Sequence, residues 1–330
     1  MTTKKIFIQF VAAILVFSSC QKNIDQFIPD PGQVNGPDST WYNSITNTMP
    51  VSNLKTNLLL ELKKDSFEFN STSTITINTG SGLQCSFIPG TVISSSNLPV
   101  TGKVHVESLL LRKKGDIIRM GTPTTSNGSM LVSGGEILVR LLKDGVPVQI
   151  AQNGHYYLKF NDTPISGLMS LFNGIETGPT TFNWLPNTDT VNNRVVASPN
   201  QSYEIMSNHL QWINCDYFFD TTGIQRTIVS ATLPAHYTNA NTVAYTVFND
   251  VRSVIGMYGN ESTRKFSTGK LPVNKQVTVV VISKQGNDYY LGHEQALTAI
   301  GNAGTIGFQQ VQVNPVKTSF DNIITYLNTL

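Results

Sequence analysis

Short runs in which apolar and polar residues alternate begin near Val51 and recur through most of the chain. Ile75 and Ile77 alternate with threonine and asparagine, and the same pattern recurs in residues 104–110 and 137–141. A period of two places successive side chains on opposite faces of a β-strand. The pattern therefore predicts an all-β protein built from short antiparallel strands.

Two dipeptides indicate tight hairpin turns in the first half. Asp144-Gly145 separates two apolar runs, and Asn127-Gly128 precedes another. These residue types tolerate the positive φ angles of two-residue hairpin turns. In the second half, Val277–Ile282 is apolar and β-branched, which is typical of a central strand. We expect it to pair with Tyr289–Leu291.

Breaks in the alternation divide the chain. Residues 161–200 are rich in proline and glycine, which interrupt periodic runs. We therefore predict two antiparallel β-sandwich domains, at residues 51–160 and 201–330, joined by an irregular connection at 161–200. It is equally open that this segment forms an elaborate loop on one domain.

The last segment changes to helical spacing. An apolar stripe is formed by Phe320, Ile323, Ile324, Leu327 and Leu330. Such a stripe predicts one short C-terminal α-helix that docks on the second sandwich. We expect Thr318 to cap it, with Asp321 in its first turn.

The N-terminus carries a secretion signal. Lys4–Lys5 precede the apolar run Ile6–Phe17, and the small pair Ser18–Ser19 precedes Cys20. This order is typical of a signal peptide at residues 1–19, and the run is too short to span a bilayer core of about 30 Å.

The cysteine after the small pair resembles the lipobox of bacterial lipoproteins. That resemblance implies that Cys20 is lipidated and becomes the mature N-terminus. Phe17 departs from the pattern, which usually has an aliphatic residue there. The alternative is an ordinary signal peptide with an incidental cysteine. Residues 20–50 are polar and contain several prolines and glycines, so we predict a flexible tether.

The charge balance of the chain bears on its partners. The chain has 330 residues, with 23 basic and 21 acidic side chains, and loss of Lys4 and Lys5 would leave a neutral protein. A neutral chain offers no charge cluster for nucleic acid, so we expect no nucleic-acid partner. Two further cysteines, Cys85 and Cys215, could pair in an oxidising compartment, but we favour two buried free thiols.

Motifs for catalysis and cofactors are missing from the sequence. There is no zinc spacing among the five histidines, no Gly-x-Ser-x-Gly elbow and no phosphate-binding glycine motif. His105 lies opposite Val104 and Val106, so we expect it to face solvent. We predict no catalytic residue, no metal and no cofactor.

Two weaker ligand signals are better explained by ordinary structural roles. An oxygen-rich cluster could hold calcium but lacks the glycine and distal glutamate of an EF-hand, so we predict a solvated turn; it comprises Asn187, Asp189, Asn192 and Asn193. Four aromatic residues could stack on sugars but more commonly pack in cores; they are Trp184, Trp212, Tyr289 and Tyr290.

Two segments carry a family resemblance. One is Gly102–Glu107 with the stretches at 115–120, 123–128 and 131–135 that follow it, and the other is Leu210–Asp216. Both resemble stretches of uncharacterised outer-membrane lipoproteins of Bacteroidetes-type bacteria. The first is also distantly similar to the spectrin-binding β-sandwich of ankyrins and netrin receptors. Some members of that wider class cleave themselves at a His-Phe-Ser triplet, which this chain lacks.

The resemblance implies a fold and a compartment: a lipid-anchored protein of the bacterial outer membrane, facing the periplasm or the cell surface. We predict a non-catalytic module that binds a protein or a glycan. The alternatives are a structural accessory subunit of an uptake or adhesion complex and, less favoured, a hydrolase. A deep pocket with two close carboxylates would support the hydrolase.

Overall fold

The computed structural model describes residues 38–70, 72–178, 181–300 and 308–330. These residues are mostly β-strand, which confirms the predicted all-β class. Three short helices accompany the strands in this part of the chain: α1 (Pro50–Leu58), α2 (Lys114–Met120) and α3 (Phe320–Leu327). None of the described helices is long and apolar enough to cross a membrane.

The first sandwich comprises residues 63–218. Its strands are β1 (Lys63–Phe69), β2 (Ile75–Asn78), β3 (Gln84–Phe87), β4 (Val92–Ile93), β5 (Gly102–Leu111), β6 (Thr125–Ser126), β7 (Ser129–Lys143), β8 (Val146–Pro147), β9 (Gln149–Ile150), β10 (Tyr156–Asn161), β11 (Ser170–Gly178), β12 (Thr181–Pro186), β13 (Arg194–Ser198), β14 (Ser202–Ser207) and β15 (Gln211–Phe218).

Two sheets form this sandwich. Sheet I has the order β1-β5-β7-β15-β11-β12, with β6 and β8 paired to β7, and sheet II has the order β13-β14-β10-β3-β2. The small β4–β9 pair is separate. Val104, Val106, Ile137 and Val139 from sheet I share a core with sheet II, as the alternation predicts. His105, on the opposite face of its strand, is exposed.

The second sandwich is one strongly bent sheet, sheet III. Its strands are β16 (Arg226–Thr232), β17 (Thr242–Phe248), β18 (Val254–Asn260), β19 (Lys265–Pro272), β20 (Gln276–Gln285), β21 (Asp288–Leu297), β22 (Phe308–Gln312) and β23 (Val316–Thr318). Their order is β22-β16-β19-β18-β17-β20-β21-β23. The first half of β18 pairs with β17 and its last residues pair with β19, so both halves of the sheet face one core.

A third apolar layer joins the sandwiches. The second face of sheet I contributes Leu138 and Trp212, and sheet III contributes Val280 and Ile282. All three helices are placed between them and insert buried side chains, including Leu54 of α1. Residues 39–330 consequently form one compact unit rather than two separate bodies.

The turn predictions are confirmed. Asp144 and Gly145 have φ values of 50° and 80°, and β7 pairs with β8 across them. Asn127 and Gly128 have φ values of 48° and 80° between β6 and β7. The predicted pairing of Val277–Ile282 with Tyr289–Leu291 also occurs, since β20 and β21 are antiparallel neighbours.

The prediction of an irregular connection at 161–200 is wrong, because this segment contains β11, β12 and β13. Gly174 of this segment is needed for close packing and does not interrupt its strand. A Cβ on Gly174 would lie 2.4 Å from the Phe182 ring and 2.6 Å from Trp212. Similarly, β14 and β15 return to the first sandwich, so the second does not begin at residue 201.

The predicted tether at 20–50 is wrong for its described part, residues 38–50. Trp41 is buried, with its ring 5.1 Å from that of Phe266. Asn239 accepts a hydrogen bond from the Tyr42 N–H at 3.0 Å and donates one to the Tyr42 carbonyl. The first element after it is helix α1, not a strand. Cys20, the signal at 1–19 and residues 20–37 lie outside the described residues.

The C-terminal helix occurs where it is predicted, but its N-cap is Ser319 rather than Thr318. The Ser319 hydroxyl accepts a hydrogen bond from the Asn322 N–H at 3.1 Å, and Asp321 lies in the first turn. Ile323 and Leu327 are buried in the layer between the sandwiches, so the helix packs on both of them. Helix α2 has no counterpart in the sequence predictions.

Helix α1 offers a test of whether this layer stabilises the whole fold. Leu54 is fully buried, whereas Leu59 just after the helix is 47% exposed. We expect Leu54→Ala to lower the free energy of unfolding by about 2–5 kcal/mol, because it leaves a cavity. Leu59→Ala, the matched control, should cost less than about 1 kcal/mol. Urea denaturation followed by tryptophan fluorescence measures both; equal losses would contradict the role assigned to α1.

Candidate functional site

A groove follows the line where the two sandwiches meet. Two neighbouring cavities of about 430 and 650 Å³ form it. Both are lined by five residues of β11, β12 and β18: Thr177, Thr181, Gly256, Tyr258 and Gly259. We call the two cavities together the junction groove. Sites between packed units are common places for ligands.

The larger cavity of the junction groove has no charged side chain among its described lining residues. Its polar groups are amides and hydroxyls, including Asn127, Asn183 and Thr268. Asn127 and Asn183 bond reciprocally: the Asn127 N–H donates to the Asn183 side chain and the Asn183 amide donates back, both at 2.9 Å. This pair ties the β6–β7 turn to β12 and fixes one wall.

Tyr258 provides an aromatic surface in the groove. It lies on β18 where this strand passes from one half of sheet III to the other, and it is 47% exposed. Burial of its hydroxyl raises the pKa, so the phenol stays neutral at physiological pH. Gly259, one residue further on, lets the backbone approach closely, since a Cβ there would lie 2.6 Å from Asn239 and 2.9 Å from Trp41.

One cationic side chain is found among the described residues that line the smaller cavity. Lys55 of α1 lines it, and burial lowers the pKa of its ammonium group to about 8, while Glu176 acts in the opposite direction. The charge of the groove is therefore confined to its α1 end. The rest of the described lining combines neutral hydrogen-bonding groups with apolar side chains and the ring of Tyr258.

The four aromatic residues proposed from the sequence as sugar platforms do not form one. Trp184 and Trp212 are buried between the sandwiches, with ring centroids 6.3 Å apart in an edge-to-face arrangement. Tyr289 packs against Phe320 at 5.2 Å, and Tyr290 against Tyr237 at 5.7 Å. The packing interpretation is confirmed for all four.

Sequence reasoning missed Tyr258. The only local signal is its position between Gly256 and Gly259 in an apolar strand, and two glycines beside a tyrosine are common. Which strand passes the junction, and which of its residues faces outward there, depends on pairing between distant segments.

The asparagine-rich segment is a self-contained turn. Asp189 accepts hydrogen bonds from the Asn192 N–H at 3.2 Å and from its side-chain amide at 2.9 Å. Asn193 accepts from the Ser207 hydroxyl and the Asn208 N–H. These contacts use the oxygens that calcium would need. Among the described residues no group of three or more His, Cys, Asp or Glu side chains is arranged to hold a metal.

Cys85 and Cys215 are free and buried, as the sequence interpretation favours. They lie in the core of the same sandwich rather than in different domains. Burial raises the pKa of the Cys85 thiol to about 12, and it also raises that of Cys215. Neither thiol is therefore a reactive nucleophile.

Two buried carboxyl groups bear on the hydrolase alternative. Glu136 and Asp216 lie on the paired strands β7 and β15 and are fully buried. Burial raises the pKa of Asp216 to about 7 and that of Glu136 well above its usual range. Neither lines the junction groove. With no contact to that groove, they do not provide the carboxylate pair that a glycosidase needs there.

These acids are held by a local network. Thr122 donates a hydrogen bond to Glu136, and the Asn214 amide donates to Asp216 at 2.6 Å. One oxygen of each carboxyl group has no protein partner. An unpartnered buried oxygen favours the protonated acid, which is uncharged.

A β-bulge next to these acids connects the sandwiches. The register of β7 against β15 shifts between Cys215 and Asp216, opposite Gly134. Arg252, from the β17–β18 turn of the second sandwich, donates to the carbonyls of Ser133 and Gly134 at 3.3 and 2.8 Å. It also forms two bonds of 3.0 Å with Asp162. The guanidinium thus satisfies backbone carbonyls at the bulge and a buried carboxylate together.

Comparison with known proteins identifies no family. The chain matches no protein-family model, and no curated protein is significantly similar to it. Its function therefore has to be argued from its own geometry.

The buried acids predict an unusual pH dependence. The folded protein holds a proton on Asp216 up to about pH 7, whereas the unfolded chain loses it near pH 4. The stabilisation that this proton provides is complete below the pKa of Asp216 in the unfolded chain and is lost as pH rises through its pKa in the folded protein. The free energy of unfolding should fall between these values by up to about 1.4 kcal/mol per pH unit for each such proton.

Asp216→Asn, which mimics the neutral acid, should reduce this slope. Asp144→Asn is the matched control, because that carboxylate is 82% exposed and asparagine tolerates its positive φ. Urea denaturation at a series of pH values measures the slope. An unchanged slope in Asp216→Asn would show that Asp216 is already ionised in the folded protein.

Proposed function

We propose that this protein is a lipid-anchored envelope protein that binds a neutral glycan in the junction groove. One observation carries the proposal: a cavity of about 650 Å³ whose described lining has amides, hydroxyls and an exposed tyrosine but no charge. Neutral sugars present hydroxyl groups and apolar ring faces. Fixed amides bind the former and an aromatic ring the latter.

A protein ligand is the other occupant expected from the sequence. Peptide segments are bound mainly through apolar anchors in pockets or through exposed strand edges. The larger cavity does have apolar side chains in its lining, among them Phe182 and Ile255, but amide and hydroxyl side chains are distributed along it beside Tyr258, and for this reason we favour the glycan. The anchoring rests on the sequence alone, on the signal run before Cys20 and the resemblance of that segment to a lipobox.

Binding is tested with the purified full chain on an array of neutral and acidic glycans. Tyr258→Ala should weaken binding to the neutral glycans it selects by about fivefold, the equivalent of about 1 kcal/mol of aromatic contact. Tyr157→Ala is the matched control, since Tyr157 is 42% exposed on sheet II, away from the groove. Equal affinity of both variants would exclude the groove. Stable co-purification with an outer-membrane protein, without glycan binding, would favour the accessory-subunit alternative.

The anchor is tested by mass spectrometry of the protein purified from membranes. We expect an N-terminal peptide that begins with acylated Cys20, because Cys20 follows a signal run that resembles a lipobox. More than one acyl chain is expected on it, since stable anchoring needs two or more. Cys20→Ser should shift the protein from the membrane fraction to the soluble fraction. An unmodified mature terminus at another residue would refute lipidation.

A further inference from the structure

A second cavity, of about 420 Å³, lies beside Arg252, where the first sandwich meets the β17–β18 turn. We call it the cationic cavity. Its lining includes three cations, Arg112, Lys114 and Arg252. It shares no lining residue with the junction groove. Asp162 and Asp250 also line it, so its side chains carry one net positive charge, whereas the larger cavity of the groove has no charged side chain among its described lining residues.

The acids of the cationic cavity are already engaged. Asp162 forms the two-bond pair with Arg252, and Asp250 accepts an ion pair from Lys275 at 2.8 Å. Among the described residues, no carboxylate forms an ion pair with Arg112 or Lys114. Neither side chain therefore has a carboxylate as a direct partner, although Asp250 is near enough to Lys114 to favour its charged form.

Both free cations are positioned by backbone carbonyls. An Nη of Arg112 donates to the Asn161 carbonyl at 2.8 Å, and the Lys114 ammonium donates to the Phe248 carbonyl at 2.7 Å. Each bond uses only part of the donor capacity, since a guanidinium has five N–H groups and an ammonium three. The carbonyls fix where the charges lie, and donors are left over.

Lys114 is held at a cost that an anion would offset. Its side chain is partly buried, and this burial lowers the pKa of the ammonium group, an effect that Asp250 opposes and Arg252 reinforces. A partly desolvated cation with only a carbonyl partner is less stable than one paired with an anion. Leu330 also lines the cavity, and its terminal carboxylate forms no ion pair with Arg112 or Lys114.

We propose that the cationic cavity binds a compact anionic group, a carboxylate or a phosphate, between Arg112 and Lys114. The planar guanidinium suits two-bond recognition of either group, and the ammonium contributes a point charge. The cavity volume suits a small molecule rather than a polymer chain. Because Lys114 bonds to the carbonyl of Phe248 in the second sandwich, such a ligand would be bound where the two sandwiches meet.

Isothermal titration calorimetry on the purified full chain tests this with three probes: inorganic phosphate, acetate and acetamide, the uncharged analogue of acetate. We expect heat of binding for phosphate, acetate or both, and none for acetamide. The anion that binds more tightly distinguishes the phosphate and carboxylate sources. Absence of binding by both anions would overturn the proposal.

Variants locate the binding. Arg112→Gln and Lys114→Gln should each weaken anion binding about tenfold, while Lys113→Gln should leave it unchanged. Lys113 is the matched control, since it is an exposed cation between the two that does not line the cavity. Arg112 is exposed, so its variant keeps the test valid even if Lys114→Gln is unstable. Equal weakening by Lys113→Gln would reveal general charge attraction instead.

This proposal is independent of glycan binding. Tyr258→Ala should leave the anion affinity unchanged, and Arg112→Gln should leave binding to neutral glycans unchanged. Loss of anion binding in Tyr258→Ala would contradict a separate site.

Discussion

Burial of the outer face of sheet I is the constraint on which the rest of this structure depends. One face of that sheet packs on sheet II, and the other carries large apolar side chains such as Trp184 and Trp212 that cannot be left in water. Sheet III, with three short helices, covers them. The two sandwiches are thereby joined into one unit by a shared core rather than by a linker.

The shared core also explains where the cavities lie. Twisted sheets that pack through inserted helices do not fit together at every point of their edges, and the gaps form along the junction. On one side the β11–β12 hairpin and β18 line the larger cavity of the junction groove. Elsewhere the β17–β18 turn brings Arg252 against the bulge of β7 and borders the cationic cavity. Each cavity has walls from both sandwiches, so both depend on the same packing.

The buried ionisable groups next to the β7 bulge are stabilised in two different ways. Arg252 neutralises Asp162 and caps the carbonyls of the bulge. Glu136 and Asp216 have one unpartnered oxygen each, and burial raises the pKa of both, which favours the uncharged acid. Two neutral buried acids cost much less than two buried charges would.

Local sequence patterns predict part of the local structure. Alternation predicted the strand faces of Val104–Leu110 and Ile137–Leu141, Asp-Gly and Asn-Gly predicted the hairpin turns, and spacing predicted the C-terminal helix. These features depend on neighbours a few residues apart, which a pattern records. The sequence is also the only basis for lipidation of Cys20. It assigned the buried tryptophans to packing and gave no residue of the groove a binding role.

The way in which the segments combine is set by the tertiary structure. It placed β14 and β15 in the first sandwich, made strands of the segment rich in proline and glycine, and packed α1 between the sheets. It also placed Tyr258 and Asn183 in the lining of one cavity, and Arg112 and Arg252 in the lining of another. The physical reason is that strand pairing and sheet packing join residues far apart in sequence, and no local period encodes which partner a strand will find.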